Sequence, residues 1–165
     1  MAILKITEYP AKVLAEVGEA VEEFDDGLKK LVADMFETMY EAEGVGLAAP
    51  QVGLSLRLFV MDCDGIKVVA ANPEITEMDG EQSGDEGCLS VGKVPSQLKR
   101  ASRVRLRAQD AEGDFFETEA SGLAARCLQH ETDHCDGILF INRLSPLKRE
   151  MVKKRFQKLK KWEES

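Results

Sequence analysis

His130-Glu131-Thr132-Asp133-His134 places two imidazoles four residues apart. On an α-helix, side chains at that spacing stand one above the other, about 6 Å apart along the axis, and can grip one metal ion. Glu131 projects in a neighbouring direction, from which it can reach a water on the ion without ligating it. The chain has two histidines in all, and both lie in this segment. A catalytic tetrahedral site needs a third protein ligand and one open position. With no histidine left, that ligand has to be a thiolate or a carboxylate.

The four cysteines are Cys63, Cys88, Cys127 and Cys135, with no Cys-x-x-Cys pair, and they read as reduced thiols. Cys135 follows His134 directly and points roughly 100° away around the helix. Cys127 falls about 10 Å along the axis from His134, too far for a short side chain. Cys63 closes an expected strand and packs there as a small hydrophobe. Cys88 is the favoured ligand, because Gly84 and Gly87 let its segment, Asp85-Glu86-Gly87-Cys88-Leu89-Ser90, approach another element closely. The carboxylate alternative is Glu150, which would make the protein a zinc peptidase. The longer zinc-protease pattern with a third histidine is excluded, since Phe140 stands where that histidine would fall.

A site of two histidines and one cysteine suits Zn²⁺, Fe²⁺, Co²⁺ or Ni²⁺. The ion would lower the pKa of its water toward neutrality and supply hydroxide. Glu131 would take the proton and pass it to the leaving group. The expected chemistry is hydrolysis of an amide or a similar carbonyl compound. A third reading, a metal-binding protein without turnover, has no use for Glu131 or for Gln51.

Gln51 lies in a loop, Gly44-Val45-Gly46-Leu47-Ala48-Ala49-Pro50-Gln51-Val52-Gly53. The loop formally matches the dinucleotide pattern G-x-G-x-x-A. That pattern should follow a strand and open a helix, whereas here an expected helix precedes it and Pro50 obstructs one. The better reading is a loop whose exposed backbone pairs with an extended substrate, with the Gln51 amide as a donor.

The elements that must position these groups can be read from periodicity. Leu28, Leu31, Val32, Met35, Phe36, Met39 and Tyr40 recur at three- and four-residue steps and predict a helix over residues 25–43, capped by Asp25 or Asp26 and ended by Gly44. Residues 56–63 and 67–71 predict strands around a turn at Asp64-Gly65. Residues 77–87 are polar and glycine-rich and read as a loop. Residues 103–109 and 115–120 predict strands joined through Ala111-Glu112-Gly113-Asp114. A second helix is expected over 122–135, with Ser121 as N-cap and Gly137 as stop. Ser145-Pro146 opens a third, with Leu147, Met151, Val152, Phe156, Leu159 and Trp162 on one side. Runs of strands without regular helical crossovers point to the α+β class.

At 165 residues, 44% hydrophobic and 32% charged, the chain fits one compact domain, 1–165. No apolar run reaches the ~20 residues of a membrane span. The first residues lack a basic flank and apolar stretch, so the expected compartment is the cytoplasm. The net charge of −8 is uneven. Residues 143–165 hold nine basic and three acidic side chains, while the remainder is strongly acidic. An acidic body argues against specific DNA binding.

Three segments together resemble the signature motifs of the peptide deformylase family: Gly44-Val45-Gly46-Leu47-Ala48-Ala49-Pro50-Gln51, Glu86-Gly87-Cys88-Leu89-Ser90 and Gln129-His130-Glu131-Thr132-Asp133-His134. Their order and spacing match as well. The resemblance implies a metal-dependent hydrolase that removes the formyl group from the N-terminal formyl-methionine of nascent polypeptides, releasing formate. It implies a deformylase-like α+β fold, with antiparallel or mixed sheets packed around a central helix carrying the two histidines, and further helices toward both termini. It implies one divalent ion held by Cys88, His130 and His134, most often Fe²⁺, with Ni²⁺ or Co²⁺ active and Zn²⁺ poorer. Glu131 would be the general acid/base. The Gln51 side chain and the Leu89 backbone N–H would hold the developing oxyanion.

Val45, Gly46 and Gly87 match positions whose backbone pairs with the substrate peptide. Val45, Leu123 and Cys127 would build the methionine pocket, with Arg126 at its rim. The basic helix, about residues 145–162, resembles the segment with which bacterial deformylases dock on the ribosome. The expected partners are thus formyl-methionyl nascent peptides and the ribosome, with no membrane and the chain acting as a monomer. Departures from the family pattern are Cys135 where leucine is usual, Gly92 where proline is common, and Pro95 where many members carry arginine.

Overall fold

The computed structural model describes residues 2–164. Its elements run α1 (Asp26–Glu41), β1 (Gly46–Ala48), β2 (Leu58–Cys63), β3 (Ile66–Asp79), β4 (Gln82–Glu86), β5 (Ser96–Arg100), β6 (Arg103–Gln109), β7 (Phe115–Ser121), α2 (Gly122–Cys135) and α3 (Pro146–Glu164), with short 3-10 turns between them. The five-stranded sheet has the order β1-β2-β3-β6-β7, and β4 pairs with β5 in a separate two-stranded sheet. All these named pairs are antiparallel, which is the expected α+β arrangement. Among the described residues, no helix is long and apolar enough to cross a membrane.

Strand β2 shows why the layers stack as they do. Successive side chains on a strand face opposite sides. Leu58 and Val60 therefore pack with Val32, Met35 and Met39 of α1, while Phe59, Met61 and Cys63 pack with Ala124, Ala125 and Leu128 of α2. With one helix on each face, every side chain from Ala124 to Cys135 of α2 is buried. A third cluster joins Cys88, Val91 and Val94 to Phe140, Val152 and Phe156 and so ties α3 to the segment after β4.

Asp25 caps α1, its carboxylate accepting the Leu28 N–H at 2.9 Å. The helix covers its whole apolar period but ends at Glu41, two residues short of the expected boundary, and Glu43 rather than Gly44 takes the left-handed conformation, φ 57°. Asp64 (φ 50°) and Gly65 (φ 79°) form the expected tight turn between β2 and β3. β3 runs well past residue 71. Its alternation is broken at Asn72, where φ is 52° and the ladder to β6 shifts register. Residues 82–86, expected as loop, form β4 instead. Only Glu86 of that strand is buried, so backbone pairing with β5 makes the strand and no apolar alternation announces it.

Ser121 makes no side-chain cap on α2. The turn into the helix is made instead by Gly122 (φ 58°), whose N–H donates to the Ser102 carbonyl at 3.0 Å. The apolar stripe of α3 is only partly covered. Val152 and Phe156 are buried, whereas Leu147, Met151, Leu159 and Trp162 are exposed.

Candidate metal centre and catalytic cleft

The α2 helix turns both imidazoles toward the segment after β4. His134 Nε2 lies 3.4 Å from Cys88 Sγ, and the two imidazole centroids are 4.9 Å apart. The ligand atoms of Cys88, His130 and His134 all fall within 4.8 Å of one another. One tetrahedral ion with metal–sulfur and metal–nitrogen distances of about 2.3 and 2.0 Å fits such a triangle. Among the described residues this is the one cluster of histidine, cysteine and carboxylate side chains built to hold a metal. Glu150 is no part of it; it stands exposed on α3 beside Lys153.

Glu131 sits between this triangle and the loop of Gly44–Gly53. A Cβ on Gly46 would lie 2.5 Å from Glu131 Oε2, so the carboxylate rests directly on the glycine backbone. Its other oxygen, Oε1, is buried without a hydrogen-bond partner. Burial pushes the Glu131 carboxyl up to about 7, against the opposing pull of His130. An unpartnered buried carboxylate oxygen beside a metal-ready triangle fits a water held on an ion.

Gln51 is aimed by its own loop. Its Oε1 accepts the Ala48 N–H at 2.9 Å, which fixes the amide and turns Nε2 toward Ser90 Oγ (3.2 Å) and Cys88 Sγ (3.6 Å). Leu89 opens the 3-10 turn Leu89–Val91, and the first N–H groups of such a turn have no acceptor within it. Gln51 and Leu89 both line the cavity beside Cys88.

A cavity of about 260 Å³ opens over this machinery. Gly46, Gln51, Gly87, Cys88, Leu89, His130 and Glu131 all line it. His134 lies behind them, fully buried. Val45 and Leu123 line the mouth, 45% and 51% exposed, while Cys127 is buried below with its Sγ 3.9 Å from the Val45 carbonyl. Arg126 also lines the cavity. Instead of standing at an exposed rim, its guanidinium is buried and donates to Glu86 Oε1 at 2.9 Å. Cys135 is buried in the core on the sheet side, where desolvation pushes its thiol up to about 12. Cys63 packs in that same core, as a small apolar residue would.

The matching family model is that of polypeptide deformylase, which spans residues 3–150. The chain belongs to the peptide deformylase family. A deformylase of Thermodesulfovibrio yellowstonii is 49% identical over 95% of this chain and 98% of its own, and one of Chromobacterium violaceum is 48% identical over 98% of both. The crystal structure of a deformylase from Legionella pneumophila superposes with a TM-score of 0.94 at 47% identity, covering 98% of each chain. A deformylase of Ehrlichia chaffeensis, solved in complex with actinonin, gives a TM-score of 0.89 at 37% identity over 96% of this chain and 98% of that one. The protein is accordingly a hydrolase of the deformylase kind, with the fold its motifs imply.

One part of this deformylase site is invisible in the motif spacing. Glu86 Oε2 lies 2.7 Å from His130 Nδ1 and 2.6 Å from Arg100 Nη2, while Arg100 Nη1 reaches Asp133 Oδ2 at 2.7 Å. Arg143 closes the far end on Asp133, its Nε 2.6 Å from the same oxygen. Burial alone would raise the Glu86 carboxyl, but His130 and Arg100 outweigh it and hold the group well below the usual carboxylate range. Such a carboxylate fixes the ring that it touches through Nδ1, so that Nε2 of His130 is the nitrogen that could ligate a metal. The sequence signal was Glu86 itself, two residues before Cys88 in a polar stretch. Its burial depends on pairing with Arg100 from β5, which no spacing rule announces.

Proposed function

We propose that Cys88, His130 and His134 hold one divalent ion, Fe²⁺ by family resemblance, and that the cleft above it removes the formyl group from formyl-methionyl peptides. The convergence of one thiol and two imidazoles beside the unpartnered Glu131 carboxylate carries this reading. Held by these three side chains, such an ion would supply Lewis acidity and a source of hydroxide at neutral pH.

This chain's own groups do the rest. The substrate backbone pairs along Gly46 and Gly87, and the methionine side chain enters past Val45 and Leu123 to Cys127 and Arg126. Gln51 Nε2 and the Leu89 N–H receive the oxygen as it gains charge; losing one such donor commonly costs 10²–10³-fold in rate. Glu131 takes the proton of the attacking water and returns it to the departing amine nitrogen, a task suited to a carboxyl near pH 7.

The test is formate release from formyl-Met-Ala-Ser by protein purified without oxygen, with metal content measured beside it and actinonin added as competitor. Formate at a rate that follows iron content, with no internal peptide cleavage, is the expected result. Cleavage of an internal bond without formate would overturn the reading.

Ribosome docking through α3 is the second partner we propose. Truncation before Ser145 is a poor test of it, because it removes the buried Val152 and Phe156. Charge reversal at the exposed Lys154 and Lys161 keeps the core, and loss of ribosome co-sedimentation is expected; unchanged co-sedimentation removes the docking role.

A further inference from the structure

A second groove lies beside the catalytic cleft. Lys93 lines the cleft, and Lys93 also lines this groove, about 390 Å³, formed by Pro95 and by Arg155, Lys158, Leu159 and Trp162 of α3. The two hollows therefore share Lys93 in their walls. Gly87, which we assign to the substrate backbone, backs onto the same residue: a Cβ on Gly87 would lie 3.2 Å from the Lys93 carbonyl oxygen.

The groove is cationic and its charges are unspent. The ion pairs of α3 use Lys153 and Lys160, and among the described residues no carboxylate pairs with Lys93, Arg155 or Lys158. Leu159 and Trp162 lie between these cations, 45% and 80% exposed. The mouth of the cleft itself is different, since Glu43 and Asp85 line it.

We propose that this groove holds the downstream part of the formyl-peptide and favours acidic residues there. The proposal deepens the deformylase reading and rests on it. An extended chain advances about 3.3 Å per residue, so eight or nine residues span roughly 26–30 Å, more than twice the rise of two turns of α3. Acidic residues immediately after methionine meet Glu43 and Asp85; acidic residues further on meet three unpaired cations. RNA phosphates would also be drawn to these charges. The shared wall at Lys93, against which Gly87 packs, favours the peptide.

The test uses metal-loaded enzyme and formyl-Met-Ala-Ser-Gly extended by five Glu, five Ser or five Lys residues, with formyl-Met-Ala-Ser as the short reference. At about 0.5 kcal/mol for each exposed charge pair, three of them lower KM by about tenfold for the Glu peptide against the Ser peptide. The expected result is that shift at constant kcat, the opposite shift for Lys, and loss of both in 0.5 M NaCl. Arg155→Glu with Lys158→Glu reverses the ranking and leaves the tripeptide unchanged.

Trp162 is the chain's one tryptophan, so its fluorescence reports the groove without any turnover. It responds to the deformylated Glu peptide and not to the Lys peptide. Equal KM for the three extensions, a ranking that survives the double charge reversal, or a Trp162 signal given by an RNA oligonucleotide and not by the Glu peptide overturns the proposal. Absence of formate from the tripeptide itself would sink the deformylase reading instead, and the Trp162 titration would still decide the groove.

Discussion

Glu86 Oε2 lies 2.7 Å from His130 Nδ1, and both groups are buried. The histidine is thereby held from behind by a carboxylate that is itself gripped by Arg100 and Arg126. The metal-ready triangle is the visible end of a chain of charges running through the protein to Arg143.

Replacing Glu86 by Gln should therefore weaken the centre without touching a proposed ligand. Removal of such a supporting carboxylate typically costs 10–100-fold in metal affinity. Competition with a chelator measures this directly, and an affinity equal to wild type would show that Glu86 leaves the ring's grip on the ion unaffected.

The same carboxyl links stability to pH. It is held below its ordinary value of 4.5, so as pH falls the unfolded chain takes up this proton before the folded one does. Its stabilisation is complete above about pH 5 to 6 and is lost as the pH drops through 4.5 and below. In metal-free protein, the stability gap between wild type and Glu86→Gln should be widest near pH 7 and narrow toward pH 3. Denaturant midpoints at both pH values decide it; a constant gap would refute the linkage.

Cys88→Ser should empty the site of metal, whereas Cys135→Ser should retain it, since Cys135 lies in the core away from the triangle. Metal analysis of both variants separates them. Equal loss in the two would overturn the ligand assignment.

Gly46→Ala should cut kcat by about 10²-fold while the protein stays folded. The new methyl group would overlap Glu131 Oε2 at 2.5 Å and displace the proposed base, and a shift of about 1 Å is enough for that loss. Metal content should not change. Full activity in this variant would mean that Glu131 does not need its present position.

Much of this architecture is legible in the sequence, and the remainder is hidden for physical reasons. His130 and His134 betray their helix by spacing alone, and Asp64-Gly65 betrays its turn by backbone preference. The α1 helix follows from its apolar period and α2 from the stop at Gly137, and the two pack on opposite faces of β2. β4 escaped because a strand made by pairing with β5, with mostly exposed side chains, leaves no alternation to read. Arg126 has the pattern of a pocket rim, yet Glu86 pulls it inward. Neither partner of that pair can be recognised until the fold brings them together from opposite sides of the cleft.

The packing of α3 on the segment after Cys88 has a consequence for how this enzyme is made. A Cβ on Gly92 would lie 2.9 Å from Phe156 Cδ1, and Phe156 and Val152 seal the cluster that includes Cys88. During synthesis the sulfur arm of the centre therefore lacks its backing until α3 has emerged. A catalyst that strips the formyl cap from other chains completes its own sulfur arm only once α3 has been made.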